Sequence, residues 1–370
     1  MRPQQTVLGI ETSCDETAAA VVRVDADGGV EVAASIVLSQ VDDHAPFGGV
    51  VPEIAARAHV EAIDWVIAAA MERAGIDFEA LTGVAATAGP GLVGGVMVGL
   101  STGKAIALAR GIPLVAVNHL EGHAVSARLT ADLPYPFLLL LISGGHCQLL
   151  DVEGVGRCTR LGATIDDAAG EAFDKIAKAL GLPYPGGPAL EALARGGDAG
   201  RFALPNALAG REGCDFSFSG LKTAAARIAE RVTGEDERRD LAAAVQGAIA
   251  RQLAERSERA MGVYAERRSA PLLPLGGRDL RFVVAGGVAA NAHVRAMLRD
   301  AAHRHGFSFT APPLEYCGDN AAMIALAGAE RLALGLVDGM DAVARPRWPL
   351  DEAAARDRPT HIPGRKGAKA

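Results

Sequence analysis

Aromatic residues are scarce: Phe, Trp and Tyr together make up 4% of the 370 residues. Positive charge is not in excess either, with 37 Lys and Arg against 44 Asp and Glu and a net charge of −7. That excludes a global attraction to nucleic acid, so a polyanionic substrate has to be met by a local basic patch or through a partner protein. Cysteine is rare and odd in number. Cys14, Cys147, Cys158, Cys214 and Cys317 are scattered and form no Cys-x-x-Cys. A disulfide frame and a zinc ribbon are excluded, and the residues read as reduced cytosolic thiols. No signal peptide is expected, because Met1–Gln5 is polar and a strand-like run starts at Thr6. The longest apolar stretch, Leu92–Val117, carries Lys104, Arg110 and several glycines, so it does not read as a membrane span. The expected location is cytoplasmic. What is present is an ordinary globular balance, 49% hydrophobic and 22% charged, in a chain long enough for two domains.

Thr6–Ile10 and Ala18–Val24 predict a strand hairpin around the polar turn Glu11-Thr12-Ser13-Cys14-Asp15-Glu16-Thr17. Such a turn offers hydroxyls, backbone N–H groups and carboxylates, and it serves equally as a phosphate cradle or a plain hairpin. Glu31–Leu38 reads as a third strand. Val51–Gly75 reads as a helix with Ile54, Ala58, Ala62 and Trp65 at helical spacing, entered through Pro52. Gly83–Ala88, the glycine turn 89–95, the helix Val96–Arg110 and the strand Leu114–Val117 form a strand–helix–strand unit. A P-loop is excluded, since Lys104 lies far from the glycines and no Gly-Lys-Ser/Thr occurs.

After the hinge-like Asp132-Leu133-Pro134-Tyr135-Pro136 the pattern starts again. Phe137–Ile142, the turn Ser143-Gly144-Gly145-His146 and Cys147–Val152 repeat the hairpin. Leu280–Ala285, the turn Gly286–Asn291, the helix Ala292–His305 and the strand Ser308–Ala311 repeat the strand–helix–strand unit. A duplicated α/β domain is the economical account, with two lobes facing each other across a cleft. Between the repeated parts lies an insertion: a helix over Asp166–Leu180, a rigid turn at Pro183–Pro188, helices over Gly220–Val232 and Asp236–Arg268, and a Pro/Gly loop at Ser269–Gly277. The expected domains are 1–132 as N-terminal lobe with 320–344 packing back on it, 133–319 as C-terminal lobe, and 345–370 as a flexible tail.

His119-Leu120-Glu121-Gly122-His123 places two imidazoles one helical turn apart, the spacing for one metal ion bound from one helix. By itself the pair is as readily two surface or core residues.

Eight motifs in order resemble one family. They are Gly9–Thr17, Asn118–His123, Ser143–His146, Gly170–Lys175, Tyr184–Pro188, Ser217–Thr223, Gly286–Asn291 and Gly318–Asn320. The resemblance is to the bacterial tRNA threonylcarbamoyladenosine transferases, the TsaD family, once labelled O-sialoglycoprotein endopeptidases, and it covers roughly residues 6–340. It implies a duplicated actin-like ATPase (ASKHA) fold. It also implies transfer of a threonylcarbamoyl group from threonylcarbamoyl-AMP to the exocyclic amine of the adenosine 3′ of the anticodon, in tRNAs reading codons that start with A. The implied partners are TsaB and TsaE. The implied cofactor is one divalent metal, Fe(II) first and Zn(II) second.

The metal ligands of the family match His119, His123 and Asp319. Without the resemblance, Asp319 is equally an N-cap for the helix that follows. The adenylate pocket carries over to Leu141, Ile142, Ser143, Gly144, Gly145, Asp174, Gly187, Glu191 and Asn291. Asp15 and Glu16 are the candidate acid–base or positioning carboxylates. Lys222 and nearby arginines are candidates for tRNA phosphates, against the plainer reading of a solvated helix face.

Two other classes compete. A zinc peptidase is disfavoured by spacing: in His-Glu-x-x-His the Glu follows the first His, whereas Glu121 is two residues from each His and points away from their face. A sugar or carboxylate kinase is allowed by the fold but has no use for the His pair.

Overall fold

The computed structural model describes residues 4–268 and 279–357. The expected loop at Ser269–Gly277 and the part of the tail beyond Asp357 lie outside the described residues. Two compact units emerge: one holds the chain up to Leu133 with Pro312–Leu350, the other Pro134–Ala311 with the chain from Asp351.

The first unit begins β1 (Gln5–Glu11), β2 (Glu16–Val24), β3 (Val30–Ser39), α1 (Val41–His44), α2 (Pro52–Ala74), β4 (Gly83–Gly89), α3 (Val93–Arg110), β5 (Leu114–Asn118) and α4 (His119–Val125). The second contains β6 (Phe137–Ile142), β7 (Cys147–Gly154), β8 (Arg157–Ala163), α5 (Ala169–Ala179), α6 (Gly186–Ala194), α7 (Ser219–Ala229), α8 (Glu235–Arg268), β9 (Arg281–Ala285), α9 (Ala292–Arg304) and β10 (Ser308–Thr310). The chain then re-enters the first unit as α10 (Ala321–Leu332), and α11 (Glu352–Asp357) belongs to the second.

The duplication is visible in the sheets. The first runs β3-β2-β1-β4-β5 and the second β8-β7-β6-β9-β10. In each, the first three strands of the unit pair antiparallel and the last two add parallel. β8 was not expected from the sequence, because Arg157 and Arg160 interrupt its apolar alternation.

In the first unit one sheet face packs on α2 and α3 through Leu8, Ile10, Val66 and Leu100. The other face packs on α10 through Val7, Val115, Ala325 and Leu326. α10 is buried along Ala321–Ala329, so its small apolar residues belong to the core and its N-terminal end is brought down onto the sheet. Two glycines allow this approach. A Cβ on Gly9 would lie 2.2 Å from Ala321 O, and a Cβ on Gly122 would lie 2.7 Å from Ile324 Cδ1. With glycine there, α10 starts against the end of β1 and packs across α4.

Two boundaries differ from the expected ones. The main run of the second unit stops at Ala311 rather than at residue 319, so Asp319 shares a unit with His119 and His123 instead of reaching them from the other half. The tail is structured through Asp357. Arg345 N–H donates to Ala88 O at 2.7 Å, and Asn118 Nδ2 donates to Trp348 O at 2.9 Å. Its Pro and Arg content suggested mobility, but here the backbone supplies the bonds and Arg345 lies over the Trp348 ring.

Candidate metal centre and substrate pocket

Asn118 closes β5 and starts α4, its side chain accepting from Leu120 N–H at 2.9 Å. That cap sets the turn on which His119 and His123 lie, with ring centroids 4.7 Å apart and planes at 84°. Asp319 arrives in the turn before α10. Its Oδ1 lies 3.0 Å from His123 Nε2 and 3.5 Å from His119 Nε2. One ligand atom from each of the three falls within 4.8 Å of the others.

Glu11, at the end of β1, orients the first ring. Its Oε2 lies 2.9 Å from His119 Nδ1, and Ser13 Oγ lies 3.1 Å from the same nitrogen. A carboxylate only accepts, so Nδ1 carries the proton, which leaves Nε2 as the nitrogen that could ligate a metal. Glu11 in turn accepts from Thr87 Oγ1 at 2.6 Å and from Ser13 N at 2.5 Å. In the sequence Glu11 falls within the Gly9–Thr17 motif with nothing local to mark this role. The signal was available only through β1–β4 pairing, which sets Glu11 one step beyond the Ile10–Ala86 pair and so beside Thr87.

The electrostatics of this cluster favour a cation. Burial opposes ionisation of Asp319, yet His119 and His123 hold its carboxyl well below the usual range. Burial likewise opposes ionisation of Glu11, and His119 outweighs it. Burial opposes charge on His119, but Asp319 and Glu11 push its ring well above the usual histidine value. Glu16 moves the other way from an ordinary carboxylate: burial, then Asp319 and Asp15, push it well up. Two imidazole nitrogens and one carboxylate oxygen at a buried, acid-ringed point fit one metal ion.

The turn carrying Asp15 and Glu16 joins β1 to β2, with Asp15 buried and Glu16 half-buried. Between Ser13 and Asp15, burial and then the Asp15 carboxylate push the Cys14 thiol well above the usual value, which disfavours a thiolate there. Glu121 turns toward α10, where Arg331 Nη1 donates to its Oε2 at 3.1 Å. It is an ion-pair partner of the packing helix and not a base beside the His pair.

The carried-over pocket residues all lie in the second unit. Leu141 and Ile142 end the fully buried β6. The Ser143–His146 turn is closed by Ser143 N–H donating to His146 O at 2.8 Å, with Gly144 and Gly145 exposed at its tip. Asp174 on α5 accepts from Gly186 N at 2.9 Å and Gly187 N at 3.2 Å, so it starts α6. Glu191 on α6 accepts from Ala292 N at 2.8 Å. Asn291 caps α9, accepting from Val294 N at 3.0 Å, and its Nδ2 donates to Gln246 Oε1 at 3.0 Å. Gly170 and Gly286 lie directly against Ser143–Gly144 and Ile142, so α5 and the β9 turn converge on the same strand end. Lys222 is committed internally, paired with the buried Asp167.

Comparison with known proteins supports the fold. HypF from T. kodakarensis matches over 91% of this chain and 48% of its own, with a TM-score of 0.55 at 16% identity. Full-length HypF in a phosphate- and nucleotide-bound form matches over 92% and 48%, with a TM-score of 0.54 at 12% identity. The molecule therefore has a duplicated α/β fold of the actin-like ATPase type, with a His-His-carboxylate cluster in its first unit. A family model described as TsaD, tRNA N6-adenosine threonylcarbamoyltransferase, matches residues 31–326. The protein of that name from Caulobacter vibrioides is 72% identical over 364 residues, 98% of this chain and 97% of its own. The one from Maricaulis maris is 59% identical over 367 residues, 99% and 96% respectively. The chain belongs to the tRNA N6-adenosine threonylcarbamoyltransferase family.

Proposed function

We propose that this chain moves a threonylcarbamoyl group from threonylcarbamoyl-AMP to N6 of the adenosine 3′ of the anticodon, in tRNAs reading codons that start with A. The observation that carries the reading is the convergence of His119, His123 and Asp319 beside the acidic turn at Asp15 and Glu16, in a chain of this family. The bond from the carbamoyl carbon to the AMP phosphate oxygen breaks, the bond to N6 forms, and one amine proton has to leave. Asp15 and Glu16 are the groups assigned to take that proton.

His119, His123 and Asp319 would hold the metal, with Fe(II) preferred and Zn(II) second. When bound it supplies Lewis acidity toward a phosphate or carbonyl oxygen. Glu11 keeps His119 in the tautomer that offers Nε2. In the second unit the N–H groups of the exposed Gly144 and Gly145 are assigned to the donor's oxygens, where developing negative charge is best met by fixed dipoles. Leu141 and Ile142 fix the strand that carries this turn. Asp174 and Glu191 are assigned to ribose hydroxyls, Gly187 to the flat base, and Asn291 to the pocket wall. The partners are TsaB and TsaE, and the setting is the cytoplasm; no helix among the described residues is long and apolar enough to cross a membrane.

The test is reconstitution with TsaB, TsaE, threonylcarbamoyl-AMP and unmodified tRNA, read by nucleoside mass spectrometry. Threonylcarbamoyladenosine is expected. Its absence, in a mixture that is productive with a relative from the same family, overturns the reading.

A further inference from the structure

Two buried histidines in the first unit lie outside the metal ligands. His59 on α2 and His44 on α1 are both fully buried, and Gln40 and Thr17 are buried beside them. They form one chain of hydrogen bonds whose direction is fixed from one end. The Cys14 carbonyl can only accept, so His59 Nε2, 3.1 Å away, carries the ring proton and donates. His59 Nδ1 is then the acceptor, facing Thr17 Oγ1 at 2.8 Å and Gln40 Nε2 at 3.1 Å. The Gln40 amide consequently turns Oε1 to His44 Nε2, 3.3 Å away, and that nitrogen donates. His44 Nδ1 accepts from Val51 N–H at 3.3 Å. Every link agrees with both rings being neutral. A second proton on His59 would set an N–H against the Gln40 amide N–H. Burial holds the His59 ring below the usual histidine value.

What this chain grips is the acidic turn. The carbonyls of Ser13, Cys14 and Asp15 each receive one donor from a different element. Leu92 N–H, just before α3, reaches Ser13 O at 2.8 Å, and Gln40 N–H, just after β3, reaches Asp15 O at 3.0 Å. The middle carbonyl, Cys14, takes His59. The first two donors are backbone; the third is a side chain, presented by α2 in one tautomer. A Cβ on Gly95 would lie 3.1 Å from the His59 ring and 2.3 Å from Thr12 O, so α3 closes the seat from the other side.

We propose that His59, in the neutral Nε2–H form selected by Gln40 and His44, is a positioning residue that holds the Cys14–Glu16 turn with its carboxylates at the metal centre. The inference rests on the reading of Asp15 and Glu16 as the proton-accepting pair. It commits to an atom: the Nε2 donor matters, and the imidazole as filler does not.

Three variants separate these. The amide nitrogen of His59→Gln reaches the place of Nε2 and restores the bond to Cys14 O. The amide of His59→Asn reaches only the Nδ1 position, and His59→Ala has neither. All three are expected to keep wild-type metal content, since His119, His123 and Asp319 are untouched. Ala and Asn are expected to lose about 100-fold in transfer rate with KM for tRNA nearly constant, while Gln stays within about threefold of wild type. Deuterium uptake over residues 12–17 reads the same point without turnover: it rises in Ala and Asn and stays at the wild-type level in Gln. Equal uptake and equal rates in Asn and Gln, or a wild-type rate in Ala, would overturn the proposal. A rate loss that follows the melting temperature across all three, with no Gln rescue, would also overturn it. Failure of the transferase reading itself appears as no product from the wild type, whereas the uptake comparison still decides whether His59 holds the turn.

Discussion

Glu11 Oε2 lies 2.9 Å from His119 Nδ1, while the opposite nitrogen of the same ring faces Asp319 Oδ1 at 3.5 Å. The ring is thus held at one edge and offered at the other. In Glu11→Gln an amide N–H₂ has to face either Ser13 N–H or the His119 and Thr87 donors. Metal affinity is expected to fall about 10–100-fold, measured by competition with a chromophoric chelator. Unchanged affinity would remove Glu11 from the support of the centre.

His119→Ala and Asp319→Ala are each expected to abolish stoichiometric metal, read by elemental analysis after gel filtration. Full retention in either variant would take that residue out of the ligand set. The same three donors with the same spacing are expected to take up Co(II) with a tetrahedral or five-coordinate visible spectrum.

Glu121 and Arg331 form a pair of mostly buried side chains between α4 and α10. Glu121→Gln is expected to cost about 1–3 kcal/mol in urea denaturation and to leave metal content and transfer rate unchanged. A large rate loss at unchanged stability would instead point to Glu121 as a base beside the histidines.

Asn118 has two tasks, capping α4 and tying Trp348 to it. Asn118→Ala is expected to lose about 1 kcal/mol for the cap alone. A chain ending at Ala344 is expected to melt below the full chain, because Ala88 O and Asn118 Nδ2 lose their partners. Coincident melting curves would show that the segment from Arg345 contributes nothing.

The buried His59 adds a pH dependence. Its folded pKa is depressed, so protonation favours the unfolded chain. Its contribution is fully present above the unfolded histidine value near 6.5 and is lost as pH falls below that value through the folded pKa. The charged or titratable groups around it are Glu11 and Asp15 from the β1–β2 side and His44 from α1. Melting temperature between pH 7.5 and 5.5 is expected to fall less steeply in His59→Gln than in wild type, to an extent on the order of the single-histidine term. Parallel curves would contradict it.

Much of this was legible in the chain itself. The repeated hairpin and strand–helix–strand pattern predicts the two sheets, and the His119/His123 spacing predicts a shared face on one helix turn. Other features depend on distant partners. Asp166 reads as the start of a helix because acidic residues cluster there, yet its carboxylate instead accepts from Phe218 N at 2.8 Å and Ser219 N at 3.2 Å, and α5 starts at Ala169. The Glu11 role needs β1–β4 pairing, and the His59 chain needs α2 laid across the β1–β2 turn. Neither leaves a local pattern, since a buried histidine in a helix and a carboxylate at a strand end look alike whether or not they bond. The membership of Asp319 in the first unit was also hidden, because only the depth at which α10 packs decides it.

The centre is split along the chain, with His123 and Asp319 separated by 196 positions. As the polypeptide is made from its N-terminus, both histidines, Glu11 and the acidic turn emerge long before the carboxylate that completes the set. Nearly the whole second unit is synthesised in that interval. An unfinished chain therefore has the imidazoles but lacks Asp319, and it also lacks α10, which covers one face of the first sheet. Uptake of a metal ion through all three groups is therefore expected only once synthesis has passed Asp319, so products truncated before it are expected to be both open-faced and unable to hold metal through the full ligand set.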